Sequence, residues 1–480
     1  MISNFCQGIL ETLQQFQEQE LLIWPSRDGS GTSVTYTGKE IHNKVAATRD
    51  ALESKGVQKG QEVLLAIPVG LDLICTILAV MAMGAIPVLP PAKTSKRSLL
   101  HLLFSRNIKA IVTTKAIPLP IKWGIQLFGI KLVTVDKVPN NTVKWVTPAV
   151  VSPDQAALIS HSSGSTGRPK AVIRSHRVLQ AQHLVLKEIF PPWPGQRDFP
   201  LFPNILLHNL STGTTSILPD LPWADITQLN LSRVAEQIRC NRIDSMTGNI
   251  FYFEKLYSYL NQEQLTLPTV KALGIGGSPI TERLVHDLKG VFPQAAVYII
   301  YGSSEAEPIA VRQISSERKE PQLGYAVGDI HPSLEYKIES FGEVVLKDGN
   351  CYTVGEIKVK GAHVAVQTKD TWLSTGDFGY LDKENLLYLT GRKGNEKLHS
   401  GVQHYQLEHV LLHQSGVEKA AAKSMETGFD LYVEGSASEE AIVQALLPYF
   451  PASIIHNIFF RQSLPVDARH HSKILYSNLV

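Results

Sequence analysis

Residues 63–89 leave the chain few choices of fold. They are apolar enough to suggest a membrane segment, but Asp72 interrupts the run and Pro68, Gly70, Gly84 and Pro87 break it. The pattern predicts instead a buried strand over 63–67, a buried helix over 71–83 and a second strand over 85–89, entered by the turn Lys59-Gly60-Gln61-Glu62. Strand, helix and strand in that order imply a βαβ unit on a parallel sheet. The alternation continues with strands over 110–112 and 131–135. Upstream, an amphipathic segment ends near Glu20, and Thr35-Tyr36-Thr37 precedes a helix with Ile41, Val45, Ala46 and Leu52 on one face, stopped by Gly56. The expected class is α/β.

At 480 residues the chain exceeds the roughly 250–300 at which one core stops growing, so two or more domains are expected. Lys plus Arg number 46 against 44 Asp plus Glu, which excludes nucleic-acid binding through bulk charge and leaves only a local site for a polyanion. Cys6, Cys75, Cys240 and Cys351 are far apart and form no C-x-x-C pair, against zinc ribbons and disulfide frameworks alike. Met1-Ile2-Ser3-Asn4-Phe5 lacks the basic-then-apolar order of a signal peptide. A cytoplasmic protein without a membrane span is expected.

Further along, Ser175 is placed to cap a helix through Leu179 and Leu184. A strand over 270–273 opens into Gly274-Ile275-Gly276-Gly277. Ser278 should then cap a helix that begins at Pro279 and turns Leu284, Leu288 and Phe292 inward. A strand over 297–300 delivers Tyr301-Gly302-Ser303-Ser304-Glu305. From residue 334 the pattern becomes short alternating strands, 343–346 and 356–359 around Lys347-Asp348-Gly349-Asn350, which predicts a β module over about 334–391. Gly391-Arg392-Lys393-Gly394 reads as a hinge. It divides a large domain, 1–391, from a small α+β domain, 392–480, with helices near 406–412 and 439–447.

The chemistry starts at Ser162-Ser163-Gly164-Ser165-Thr166-Gly167-Arg168-Pro169-Lys170, which follows the apolar run Ala156-Ala157-Leu158-Ile159. Glycines let the backbone approach a ligand, hydroxyls supply donors, and Arg168 and Lys170 add positive charge. Such a loop suits a polyphosphate; a Ser/Gly linker is the competing meaning of the composition. It is not a Walker A loop, because G-x-x-x-x-G-K-[ST] cannot be laid on it. In open α/β sheets ligands bind at strand carboxyl ends, so the exits at Gly164, Gly276 and Gly302 are expected to share a pocket.

Several motifs thus stand in a fixed order: 163–170, Tyr301-Gly302-Ser303-Ser304-Glu305, Ser374-Thr375-Gly376-Asp377, Gly391-Arg392-Lys393 and His470-His471-Ser472-Lys473-Ile474. Over almost its whole length the chain resembles the adenylate-forming superfamily of acyl-CoA synthetases, peptide-synthetase adenylation domains and luciferases. Phe199-Pro200-Leu201-Phe202, Ile217-Leu218-Pro219-Asp220, Glu305-Ala306-Glu307-Pro308 and 465–474 are most similar to the β-lactone synthetases of bacterial olefin biosynthesis.

The resemblance implies attack of a substrate carboxylate on the α-phosphate of ATP, with release of pyrophosphate. Two anions must be neutralised and aligned, and no covalent nucleophile is needed. It places Ser162, Ser163, Gly164, Ser165, Thr166, Gly167 and Lys170 on the β- and γ-phosphates, and Ser304 toward the α-phosphate. Glu305 would hold Mg2+, Tyr301 would stack on adenine, and Gly276, Gly277 and Gly302 would wall the pocket. Asp377 would accept the ribose hydroxyls, Arg392 would add a ribose or phosphate contact, and Lys473 would enter from the small domain to bridge carboxylate and α-phosphate oxygens. By residue type alone, Glu305 is equally a solvated loop carboxylate, Tyr301 a core tyrosine, Asp377 a turn residue and Lys473 an exposed terminal lysine. His409 and His413 share a helix face without the glutamate of a zinc-protease helix, which makes them structural.

Several positions depart from the family pattern. Gly394 stands where an acidic hinge residue is usual, Pro203 where many acyl-CoA synthetases carry histidine, and Gln403 where a basic residue is frequent. The expected activity is formation of an acyl-AMP from a fatty or otherwise hydrophobic acid, then transfer to a thiol of coenzyme A or of an acyl carrier protein's phosphopantetheine. Closure of a β-hydroxy acid to a β-lactone is the first alternative, and a non-catalytic nucleotide- or acyl-binding homologue the second.

Overall fold

The computed structural model describes residues 4–25, 33–91, 102–103, 105–115, 119–135, 144–163, 169–201, 203–221, 226–315, 319–346, 349–366, 371–467 and 471–480. The chain forms two compact units, Met1–Asp244 and Ser245–Val480.

In the first unit, α1 (Cys6–Gln15), β1 (Glu20–Pro25) and β2 (Ser33–Thr37) lead into α2 (Gly38–Ser54). Thr37 and Glu40 close a capping box at the start of α2, which buries Ile41, Val45, Ala46 and Leu52 as expected. The βαβ unit follows as β3 (Glu62–Ala66), α3 (Leu71–Ala82) and β4 (Ile86–Val88), with Val63 opposite Pro87 in a parallel pair. Residues 74–82 of α3 are all buried, the signature of a helix surrounded by core. Next come β5 (Ile108–Thr113), α4 (Leu119–Leu127), β6 (Lys131–Thr134), β7 (Ala156–Ser163) and β8 (Pro169–Ser175). The sheet runs β6-β5-β3-β4-β7-β8 and is parallel except for the β7–β8 hairpin.

After β8, the Ser175 hydroxyl accepts the Val178 N–H at 3.2 Å and caps α5 (His176–Ile189); Leu179 is buried whereas Leu184 is exposed. Then β9 (Arg197–Pro200), α6 (Pro203–Thr212) and β10 (Thr215–Ile217) precede α7 (Leu231–Cys240), and β9, β10 and β1 pair in parallel with β2 antiparallel at the edge.

The second unit starts with parallel strands β11 (Ser245–Asn249), β12 (Ala272–Gly276) and β13 (Ala296–Ser303), connected by α8 (Ile250–Gln262) and α9 (Glu282–Val291). Here one expectation is corrected. Ser278 does not cap α9: the helix begins at Glu282, and the Thr281 hydroxyl accepts the Leu284 N–H at 3.2 Å. Ser278 stands three residues before that cap, outside the helix, and its hydroxyl meets that of Ser472 at 2.7 Å. Leu284, Leu288 and Phe292 are buried as expected.

Antiparallel strands follow: β14 (Ala306–Gln313), β15 (Tyr325–Ile330), β16 (Leu334–Val345), β17 (Cys351–Gly361), β18 (Leu373–Leu381) and β19 (Leu387–Arg392). Beyond them, α10 (His404–His413) and α11 (Glu439–Leu446) cover a small sheet of β20 (Val417–Ser424), β21 (Phe429–Gly435) and β22 (Ile455–Arg461) around Leu407, Leu411, Leu431 and Ile442. The second face of α10 is buried too. His409 Nδ1 lies 3.0 Å from the carbonyls of Pro321 and Gly324, and its ring stacks on Tyr325 at 4.3 Å. Gln403 is fully buried, accepting from Thr390 and donating to the Glu396 carbonyl, both at 2.6 Å.

Candidate active site

The site in the second unit grows out of two adjacent strand ends. β12 and β13 run in parallel with Gly276 opposite Ile300, so Gly276-Gly277-Ser278 leaves the sheet beside Tyr301-Gly302. A Cβ on Gly302 would meet the Ala306 carbonyl oxygen at 2.8 Å, and one on Gly276 the Ile300 carbonyl oxygen at 3.0 Å. Close backbone approach therefore favours glycine at Gly276 and requires it at Gly302.

Tyr301, Asp377 and Arg392 are in direct contact. The Tyr301 hydroxyl donates to Asp377 Oδ2 at 2.9 Å, and Arg392 Nη1 pairs with Asp377 Oδ1. The sheet produces this meeting, because the antiparallel register of β18 and β19 sets Asp377 opposite Arg392. Asp377 is held further by its own N–H, which donates to Thr375 Oγ1 at 3.0 Å, while the Thr375 hydroxyl donates to the Ile357 carbonyl at 2.8 Å.

Burial first, then the charge of Asp377, holds the Tyr301 hydroxyl well above the usual tyrosine range, so it remains a donor. The attraction of Asp377 raises Arg392. Each Asp377 oxygen keeps acceptor capacity beyond these two partners, which suits the hydroxyls of a ribose.

Ser304 and Glu305 are half-buried in the turn after β13. The Glu305 carbonyl accepts the Ala365 N–H at 2.6 Å, and Ala306 forms an antiparallel bridge to Val364, which ties this turn to the segment after β17. Fully buried His363 adds a contact of 3.0 Å between its Nε2 and the Pro308 carbonyl. Among the described residues no group of three or more His, Cys, Asp and Glu could hold a metal unaided. A single carboxylate such as Glu305 fits Mg2+, which keeps waters and phosphate oxygens as its other ligands.

Lys473 lies half-buried in a hairpin in which Val466 bridges Ile474. Its neighbour Ser472 touches Ser278, the residue after Gly276 and Gly277, and the His471 ring lies 5.3 Å from that of Phe251.

The phosphate-loop residues belong to the first unit. Ser162 and Ser163 pair across the hairpin with exposed Lys170 and with Pro169, so the apolar run after the loop is its return strand. Gly164, Ser165, Thr166, Gly167 and Arg168 lie outside the described residues. Sequence reasoning gave Ser278 only as a helix cap and named Ser472 and Asp467 only within the stretches that carry the resemblance, with no contact assigned to any of the three. Adjacency to Gly277 and Lys473 marked the two serines, whereas nothing in spacing marked the aspartate.

Comparison with known proteins accords with this geometry. The family model described as AMP-binding enzyme matches residues 10–366. An olefin β-lactone synthetase of Stenotrophomonas maltophilia (strain K279a) is 24% identical, over 98% of this chain and 96% of its own length. A 2-succinylbenzoate–CoA ligase of Bacillus cereus (strain ATCC 10987 / NRS 248) is 26% identical, over 87% of this chain and 86% of its own. Among solved structures, the O-succinylbenzoate coenzyme A synthetase of Bacillus subtilis in complex with ATP and magnesium superposes with a TM-score of 0.78 at 20% identity, covering 98% of this chain and 99% of that one. ATP-bound MatB from Rhodopseudomonas palustris gives 0.78 at 15% identity, covering 99% and 98%. The chain belongs to the AMP-binding enzyme family, and it is an adenylate-forming ligase.

Proposed function

We propose that the chain uses Mg2+ and ATP to convert a hydrophobic carboxylic acid, fatty or similar, into its acyl-AMP in the cytoplasm, and then passes the acyl group to a thiol of coenzyme A or of a carrier protein's phosphopantetheine. The Tyr301–Asp377–Arg392 constellation beside the β12 and β13 exits carries this reading, because it presents a buried carboxylate acceptor where a nucleoside would lie.

In the first step a carboxylate oxygen bonds to the α-phosphorus as the bond to the bridging oxygen breaks, and pyrophosphate leaves with no proton transferred. Catalysis is alignment and charge neutralisation. Ser162, Ser163, Gly164, Ser165, Thr166, Gly167 and Lys170 hold the β- and γ-phosphates, and Ser304 points a hydroxyl at the α-phosphate. Tyr301, with Gly276, Gly277 and Gly302, encloses the adenine; Asp377 and Arg392 hold the ribose. Glu305 would help to hold Mg2+, which when bound would supply positive charge to offset that on the leaving pyrophosphate. Lys473 supplies an ammonium between the carboxylate and α-phosphate oxygens. Residues 392–480 turn about 392–394 to bring Lys473 in and then to open the site for the acceptor; Gly394, at φ +95° with no heavy atom within 4 Å of a built Cβ, supports that freedom.

A second reading of the later step is favoured by the similarity to an olefin β-lactone synthetase across 98% of the chain. The β-hydroxyl of the bound acyl-AMP attacks its own acyl carbon, AMP leaves, and the hydroxyl proton is lost to solvent. Incubation with ATP, Mg2+ and a long-chain 2-alkyl-3-hydroxy acid, with and without coenzyme A, separates the two. Thioester formed only with coenzyme A supports transfer, and lactone formed without any thiol supports closure. AMP production from neither reaction, across fatty and β-hydroxy acids, would refute both.

A further inference from the structure

We infer that Asp467 is the positioning residue for Lys473, and that the Ser278–Ser472 pair docks the hairpin it builds beside the β12 exit. The inference rests on the reading of Lys473 as the lysine that serves adenylate formation.

Asp467 holds residue 473 from both sides of its backbone. The Asp467 N–H donates to the Lys473 carbonyl at 2.9 Å, and the Lys473 N–H donates to Asp467 Oδ1 at 3.1 Å. The Leu475 N–H donates to the Pro465 carbonyl at 2.9 Å and continues the ladder, with Val466 facing Ile474 between. Asp467 is 7% exposed, so its carboxylate is sheltered from competing water where it accepts the Lys473 N–H. A four-carbon stem makes a lysine side chain flexible, and both backbone groups of Lys473 are fixed at its root. With its root fixed, the side chain starts from one place, and such restriction shortens the route to a productive geometry.

A second set of contacts fixes where this hairpin sits. His471 has φ +54°, a left-handed turn uncommon outside glycine, and it reverses the chain just before Ser472. Its ring lies against Phe251, and the Ser472 hydroxyl meets that of Ser278 at 2.7 Å. Ser278 immediately follows the glycines that wall the site, so the contact ties the lysine's neighbour to the strand exit.

The test measures acid-dependent ATP–pyrophosphate exchange in Lys473→Ala, Asp467→Ala, Asp467→Asn, Ser472→Ala and the Lys473→Ala/Asp467→Ala double variant, each checked by thermal melting. Asp467→Ala should lower kcat by about 100-fold with KM for ATP within about twofold. Asp467→Asn, which keeps an acceptor oxygen for the Lys473 N–H, should stay within about threefold of wild type. In the Lys473→Ala background, Asp467→Ala should cost less than about twofold more, as expected when one residue acts through another.

An Asp467→Ala loss that persists in full without Lys473, or that appears chiefly in KM, would make Asp467 merely structural and overturn the inference. Unchanged exchange in Asp467→Ala beside a dead Lys473→Ala would overturn it alone, whereas wild-type exchange in Lys473→Ala would overturn the reading beneath it. Should Asp467→Ala fail to fold, Ser472→Ala decides on the docking: a kcat lowered by about three- to tenfold upholds it, and an unchanged kcat removes it.

Discussion

Tyr301 and Asp377 are 76 positions apart, yet the phenol donates to the carboxylate while Arg392 holds the other oxygen. Replacing Asp377 by asparagine keeps the size but removes the charge that Arg392 pairs with, and it puts an N–H donor in place of one of two oxygens that each already accept one. Exchange activity of Asp377→Asn should fall by about 100-fold, largely through a higher KM for ATP, as expected when a charge-assisted contact to substrate is lost. A variant with wild-type KM and kcat would remove Asp377 from the nucleotide site. Tyr301→Phe is a milder change, because one hydrogen bond to a charged group is lost while the ring remains. About tenfold in KM for ATP with little change in kcat is expected, and initial-rate kinetics at varied ATP would reveal it.

The helix α10 poses a different problem, since it buries a carboxyl group. Glu408 accepts the Tyr476 hydroxyl at 2.8 and 2.9 Å and the Ala422 N–H at 2.9 Å, so the last turn of the chain is fastened to this helix. Burial drives the Glu408 carboxyl up from 4.5 to about 8, and its two hydrogen-bond donors offset only part of that rise. Because the folded state binds the proton more tightly than the unfolded chain, this contribution to stability is complete below about pH 4.5. It is then lost progressively as pH rises to about 8. Melting temperatures measured from pH 5 to 9 should fall across that window in the wild type and fall less in Glu408→Gln. Parallel profiles for the two proteins would show that Glu408 does not titrate in this way.

At this scale the sequence is legible where periodicity decides. The βαβ unit over 62–88 follows from an apolar run broken at the right places, and the Ser175 cap follows from a hydroxyl at a helix entry. Legibility fails where two residues compete for one local role. Ser278 and Thr281 are both plausible caps by residue type; Thr281 takes the role, and Ser278 meets the distant Ser472 instead. The Asp377–Arg392 pair was visible as two motifs, but its register and the arrival of Tyr301 depend on how β18, β19 and β13 pair in the sheet. Asp467 stood inside the 465–474 resemblance, but its bonds to the Lys473 backbone could not be read from it, because backbone groups look alike in every sequence.

For the molecule as a whole, a nearly neutral chain must create its anion site locally, from dispersed segments. Among the described residues no helix is long and apolar enough to cross a membrane, and the apolar run over 63–89 is divided into β3, α3 and β4. The positive groups assigned to the reactants are Lys170, Arg392 and Lys473, set by three different parts of the sequence. The proposed reaction assigns all three to one pair of anions. The most direct measurement is acid-dependent ATP–pyrophosphate exchange over a panel of fatty, aryl, amino and β-hydroxy acids, run with wild type, Lys473→Ala and Asp377→Asn. Exchange with at least one hydrophobic acid, lost by about 100-fold or more in both variants, is the predicted result. Exchange as fast in the variants as in the wild type, or no exchange with any acid by a wild-type protein that still binds ATP, would contradict it.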